Sequence, residues 1–137
     1  MTQDIPVPND RASFRKAITE VRAEHAVLRH LAEAVSERSV LSTDDVLSLA
    51  EAVKNHERSE AILFSLPFLS RPPEAVTKTA AKSQERCEEY LSGRFSRVEA
   101  ATAASRFVDA LLAHIAAEEN WLDREDEHQK ERLRTAA

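Results

Sequence analysis

Three histidines in this 137-residue chain stand where an apolar residue would be expected. His25 falls within the series Phe14, Ile18, Val21, His25, Leu28 and Ala32, whose spacings of three and four define one buried helical stripe. His56 and Glu60 interrupt a second stripe made of Val46, Leu49, Ala50, Val53, Leu63 and Phe64. His114, with Glu118 and Glu119 after it, interrupts a third that runs through Phe107, Leu111, Ile115, Trp121 and Leu122. An imidazole or carboxylate withdrawn from water is costly unless it is paired, hydrogen-bonded or bound to a cation. Residues four apart lie on one helix face about a turn from each other, so His56 with Glu60 offers a nitrogen and a carboxylate to the same ion or ion pair. His114 with Glu118 or Glu119 repeats the arrangement, and His25 sits near enough to mid-helix to reach the same level.

Imidazole with bridging carboxylate suits iron, manganese or zinc, and a site without thiolates argues against a closed structural zinc site. Facing helices supply about six or seven candidate side chains, which favours two cations over one, because carboxylates bridge ions whose mutual repulsion must be screened. A single buried histidine is usually a hydrogen-bonded core residue, and it is the repetition of the pattern that points to metal. His30 lies off the main stripe and His128 in a charged tail, so both read as solvated. Trp121 and Phe64 read as walls of the core, and Tyr90, the only tyrosine, is a candidate phenolate ligand to ferric iron.

The elements that must position these groups are helical. A single glycine, abundant alanine, glutamate, leucine and arginine, and few aromatics favour helix over sheet. Residues 1–10 carry two prolines and no period and read as an N-terminal tail, with Asp10 placed to cap the first helix and residues 11–137 forming one domain. The first helix is expected over about residues 11–38 and the second from Ser42 or Thr43, with Asp44 and Asp45 in its first turn, to a break near residues 70–73. Proline fits the start of a helix and glycine its end, so the third is expected from Pro73 to Ser92, stopped at Gly93. A fourth follows the stretch around residues 95–101 and runs to roughly Leu133. Short connections make neighbours antiparallel, giving an all-α, up-down-up-down four-helix bundle.

The formal net charge of −5 is spread along the chain with no basic stripe, which makes nucleic acid an unexpected partner. The opening MTQDIPVPNDRASF has no charged-then-apolar pattern, and apolar runs such as residues 61–64 are far too short to span a bilayer, so a cytoplasmic location is expected. Cys87, the only cysteine, forms no intrachain disulfide and reads as a small buried hydrophobe.

The segments EHAVLRHL at 24–31, HERSEAILF at 56–64 and HIAAEENWL at 114–122 resemble the first, second and fourth helix motifs of the hemerythrin-like, or HHE cation-binding, family. The resemblance covers most of the chain from about Phe14 to Leu122 and implies the same bundle, with two non-heme iron ions and, as alternatives, manganese or zinc. It implies ligand roles for His25, for His56 and Glu60, and for His114 and Glu119, whereas ideal helix geometry favours Glu118 over Glu119. The third helix departs from the family, which usually has His-x-x-x-His there, because AAKSQERCEEYL contains no histidine. Matching Cys87 and Tyr90 to Leu28 and Leu31 puts Gln84 in the place of a histidine and makes Glu88 the replacement ligand, with Glu85 and Glu89 as register alternatives.

Anionic oxygen ligands favour the ferric state, so the departure weakens a reversible oxygen carrier and favours a di-iron oxidoreductase that binds and activates oxygen or peroxide. Competing expectations are a sensor or store for oxygen, nitric oxide or iron without turnover, and a degenerate, metal-free helical interaction module.

Overall fold

The computed structural model describes residues 10–66 and 69–136, with side chains over 12–66 and 69–131. Apart from Asp10, which begins the first helix, the expected N-terminal tail lies outside the described residues. Four helices follow in order: α1 Asp10–Glu37, α2 Thr43–Phe64, α3 Glu74–Ser92 and α4 Arg97–Ala136. No strand occurs among the described residues, and the all-α four-helix bundle expected from the sequence is the fold observed. No helix is long and apolar enough to cross a membrane among those residues.

Local chemistry sets the helix ends. Ser42 is the N-cap of α2, its hydroxyl accepting from the Asp45 N–H at 3.3 Å, and Asp44 and Asp45 follow in the first turn. Pro73, with φ −69° and ψ 160°, precedes α3 in an extended conformation. Gly93 ends it at φ −77°, so the glycine is not required by handedness. It leaves room for the ring of Phe95, an exposed side chain that a Cβ there would make turn aside. α4 starts with a reciprocal capping box: the Ser96 hydroxyl accepts from the Glu99 N–H at 3.2 Å, and the Glu99 carboxylate accepts from the Ser96 N–H at 3.0 Å. At the far end of the bundle, the buried Glu125 carboxylate accepts from the Ser70 N–H at 2.9 Å and ties the α2–α3 connection to α4.

The core is divided into two apolar clusters. One contains Phe14, Ile18, Val21, Leu63, Val76, Trp121 and Leu122, with Phe64 meeting Trp121 edge to face at 5.5 Å. The other contains Leu28, Val35, Val46, Leu49, Val53, Cys87, Phe107, Leu111 and Ile115. The order in which each helix passes through them gives its direction. α1 and α3 run from the first cluster to the second, and α2 and α4 run from the second to the first, which is the up-down-up-down arrangement. Burying each large aliphatic side chain contributes roughly 1.5–3 kcal/mol, so the two clusters dominate the cohesion of the bundle. Between them, every helix contributes polar groups: His25 from α1, His56 and Glu60 from α2, Ser83 from α3, and His114 and Glu118 from α4. The polar belt is enclosed by two apolar layers.

Candidate metal centre

The three histidines of the belt are held in the same way, each by its Nδ1. His25 Nδ1 pairs with Glu119, whose other oxygen pairs with Arg22. Nδ1 of His56 lies 2.6 Å from Glu24, and the second oxygen of Glu24 accepts from the Ser59 hydroxyl at 2.6 Å. Nδ1 of His114 lies 3.0 Å from the Thr79 hydroxyl, which itself donates to the Ala75 carbonyl at 2.6 Å. Because that hydroxyl proton is committed to Ala75, the Thr79 oxygen is left to accept from His114. Fixing one ring nitrogen of an imidazole sets the aim of the other.

The three Nε2 atoms therefore point inward onto two carboxylates. His25 Nε2 is 2.8 Å from Glu118, and His114 Nε2 is 2.6 Å from Glu60 and 3.5 Å from Glu118. His56 Nε2 stands 3.4 Å from both Glu60 and Glu118, close enough for charge interaction yet without a hydrogen-bond partner. One oxygen of Glu118 is likewise buried without a partner. The rings of His25 and His56 meet edge to face with centroids 4.8 Å apart. Two sets of donor atoms result, His25, His56 and Glu118 in one and Glu60, His114 and Glu118 in the other, with the atoms of each set within 4.8 Å of one another. These buried groups can hold a metal ion. Glu118 belongs to both sets, as a carboxylate that bridges two positions would.

The fit to cations rests on chemistry as well as on distance. Two carboxylates and three imidazoles share one buried layer, and two of their atoms lack any hydrogen-bond partner. Burial disfavours a charged imidazole, but Glu118, Glu60 and Glu24 outweigh that effect and push His56 up to about 10. Burial also opposes charge on His114, and Glu60 and Glu118 raise it all the same. Burial likewise disfavours the Glu60 carboxylate, yet His114 and His56 hold it well below the usual carboxylate range. The carboxylates thus demand positive charge at this place, and metal cations would supply it in exchange for protons.

Each residue singled out in the sequence has a definite place. His25, His56, Glu60 and His114 come together in the belt, and Glu118 lies at its centre. Glu119 is one position further round α4, where it backs His25 and pairs with Arg22. α3 turns a different face inward from the one expected: its buried residues are Val76, Ser83 and Cys87. Consequently Gln84, Glu85 and Glu88 are exposed, and Glu89 pairs with Arg86 at 2.8 Å. None of these four belongs to either donor set. Tyr90 packs against the second apolar cluster, away from the belt, and Cys87 is buried there, its thiol pushed up by burial. His30 and His128 are both exposed.

Four residues that matter here were not singled out. Glu24 and Ser59 adjoin ligand candidates in sequence, Glu24 just before His25 and Ser59 just before Glu60, and such neighbours turn toward the adjacent helix. Thr79 and Ser83 are four apart on the inward face of α3, and the spacing from Val76 through Cys87 carries that signal.

No protein-family model, curated protein or solved structure matches the chain significantly. The four-helix bundle and its paired His and Glu clusters are compatible with the hemerythrin-like resemblance.

Proposed function

We propose that this bundle is a hemerythrin-like protein that holds two non-heme iron ions and binds and activates oxygen or peroxide. One observation carries the reading: three histidines with tied Nδ1 atoms aim Nε2 at two carboxylates, one of which is shared by both donor sets. The set is rich in nitrogen and anionic oxygen and has no thiolate, which suits iron or manganese and also admits zinc. Four carboxylates, the inner Glu60 and Glu118 and the outer Glu24 and Glu119, formally balance two divalent cations, with Arg22 at the edge tempering the outer pair. Bound iron would supply one-electron chemistry and Lewis acidity toward an oxygen ligand.

The chain's own residues do the rest. His25, His56 and His114 are oriented before any cation arrives, so little reorganisation accompanies binding. The apolar clusters on either side exclude water and raise the strength of every charge interaction in the belt. An open groove of about 790 Å³ lies between residues 39–43 and residues 97–106, beyond the second apolar cluster from the belt. An organic substrate seated there would not touch the cluster, and this favours small inorganic ligands. The same fact supports a second reading, a sensor or store for oxygen, nitric oxide or iron without turnover.

Metal analysis of protein expressed with added iron, together with its absorption spectrum before and after dithionite, tests the proposal. About two irons per chain and a bleachable charge-transfer band are expected. Peroxide consumption by that species distinguishes an oxidoreductase from a sensor. A folded, helical protein without bound metal would overturn both readings and leave a helical interaction module.

A further inference from the structure

The two donor sets do not face the same surroundings. Along the seam of α2 and α3 a small cavity of about 20 Å³ touches both Glu60 and His114 of one donor set but only His56 of the other, with Val53, Ala80 and Leu111 as its apolar walls and Glu57 and Gln84 also lining it. That is room for one water, or for the outer end of a small ligand held at the His114 position. Ser83 lines it, is 3% exposed, and has no hydrogen-bond partner for its hydroxyl. Serine and threonine inside a helix ordinarily bond back to the carbonyl one turn earlier. Thr79, Ser92 and Thr102 all do so in this chain, at 2.6, 2.7 and 3.1 Å. Ser83 instead turns its hydroxyl into the cavity, where a buried donor with no acceptor is costly.

On this basis, and resting on the di-iron reading above, we infer that the metal position at His114 and Glu60 is the one open to an exchangeable ligand of two or three atoms. The outer end of that ligand sits in the α2–α3 cavity and accepts a hydrogen bond from Ser83. α3 contributes no imidazole or carboxylate to either donor set, so the His114 position has no protein ligand on the side where Ser83 and the cavity lie. The other seam is closed to such a ligand. The cavity between α1 and α2, about 200 Å³, reaches His56 from the side of Glu24, where Nδ1 is already bonded and the ring itself stands before the cluster. The ligand class that follows is small, with an acceptor lone pair and without an organic group.

Azide titration of the ferric, iron-loaded protein tests the assignment, with iron content and helicity measured on every variant. Ser83→Ala should weaken azide about tenfold through loss of the hydrogen bond, and Ser83→Leu should abolish it by filling the cavity. Asn55→Phe, which crowds the α1–α2 cavity from an exposed position, should leave azide binding unchanged. Normal iron content with azide binding insensitive to both Ser83 variants, or lost in Asn55→Phe, would overturn the inference while leaving the di-iron reading intact. A parent protein that binds no iron would overturn both.

Discussion

The half of the belt built on His25 and His56 differs from the half built on His114 in what stands behind the imidazole. His25 and His56 lean on carboxylates, Glu119 and Glu24, each of which is itself held by Arg22 or Ser59. His114 leans on a neutral hydroxyl, Thr79. An anionic partner raises the basicity of the imidazole and strengthens its bond to a cation, whereas a hydroxyl only orients it. The same division appears in the packing, because the His114 side borders Ala80, Ser83 and a small cavity. Strong donation is concentrated on one side, and small α3 side chains that bring no imidazole or carboxylate to the belt border the other. With two cations bound as proposed, such asymmetry would let one anchor the site while its neighbour exchanges ligands.

The largest effect is expected where the halves meet. Glu118→Ala removes the carboxylate common to both donor sets, so metal affinity should fall at both positions and by more than the roughly 10–100-fold that loss of an outer partner costs. Isothermal titration with ferrous ion, or manganese as an air-stable substitute, measures it. Loss of only one equivalent would break the picture of a shared ligand.

Proton competition comes next. With His56 at about 10, a cation must displace its proton at neutral pH, so apparent affinity should rise with pH by up to about tenfold per unit for each proton released. The metal-free protein should behave in the opposite sense. A histidine raised from 6.5 to about 10 contributes stability that is fully present below pH 6.5 and is lost as pH climbs through 10. Glu60, lowered from 4.5, contributes stability that is present above pH 4.5 and is lost as pH falls below it. Thermal melts of chelator-treated protein should therefore decline both toward pH 10 and below pH 4.5, and loaded protein should lose the alkaline decline. Identical alkaline profiles with and without metal would show that no cation replaces the His56 proton.

The outer partners sharpen the comparison directly. Glu24→Gln should weaken the His25–His56 position about 10–100-fold, and Thr79→Val should weaken the His114 position toward the lower end of that range, because a hydroxyl contributes less than a carboxylate. Competition with a chromophoric chelator resolves the two steps. A larger loss in Thr79→Val than in Glu24→Gln would reverse the assignment of the stronger half.

The fold was legible because its signals repeat: the apolar stripes recur over several turns, and the caps at Ser42, Pro73 and Gly93 are strong local choices. The interrupted stripes likewise marked His25, His56, Glu60 and His114, since a polar residue at a core position stands out against its neighbours. The choice between Glu118 and Glu119 needed the real rotation of α4, which puts Glu118 at the centre and Glu119 behind His25. The inward face of α3 was harder. Its stripe of Val76, Thr79, Ser83 and Cys87 has only small or weakly apolar residues, and the run of Glu85, Glu88 and Glu89 beside it is the denser pattern of candidate ligands. Outer partners such as Glu24 are set by how two helices pack, which periodicity along one helix does not encode.

Glu88 offers the test with the smallest expected effect. Its side chain is exposed, and it lies on the outer side of the helix whose inward residues are Val76, Ser83 and Cys87. A surface carboxylate in that position contributes little, so Glu88→Ala should leave iron content and spectrum unchanged and shift stability by no more than about 0.5 kcal/mol. A clear drop in iron would mean that α3 rotates by most of a half-turn when metal binds, bringing a carboxylate inward in place of Ser83. That outcome would also erase the difference between the two halves, because the His114 position would then gain an anionic ligand and lose its cavity. Measuring Glu88→Ala beside Ser83→Ala separates the two registers of α3, since each register makes one of these substitutions silent.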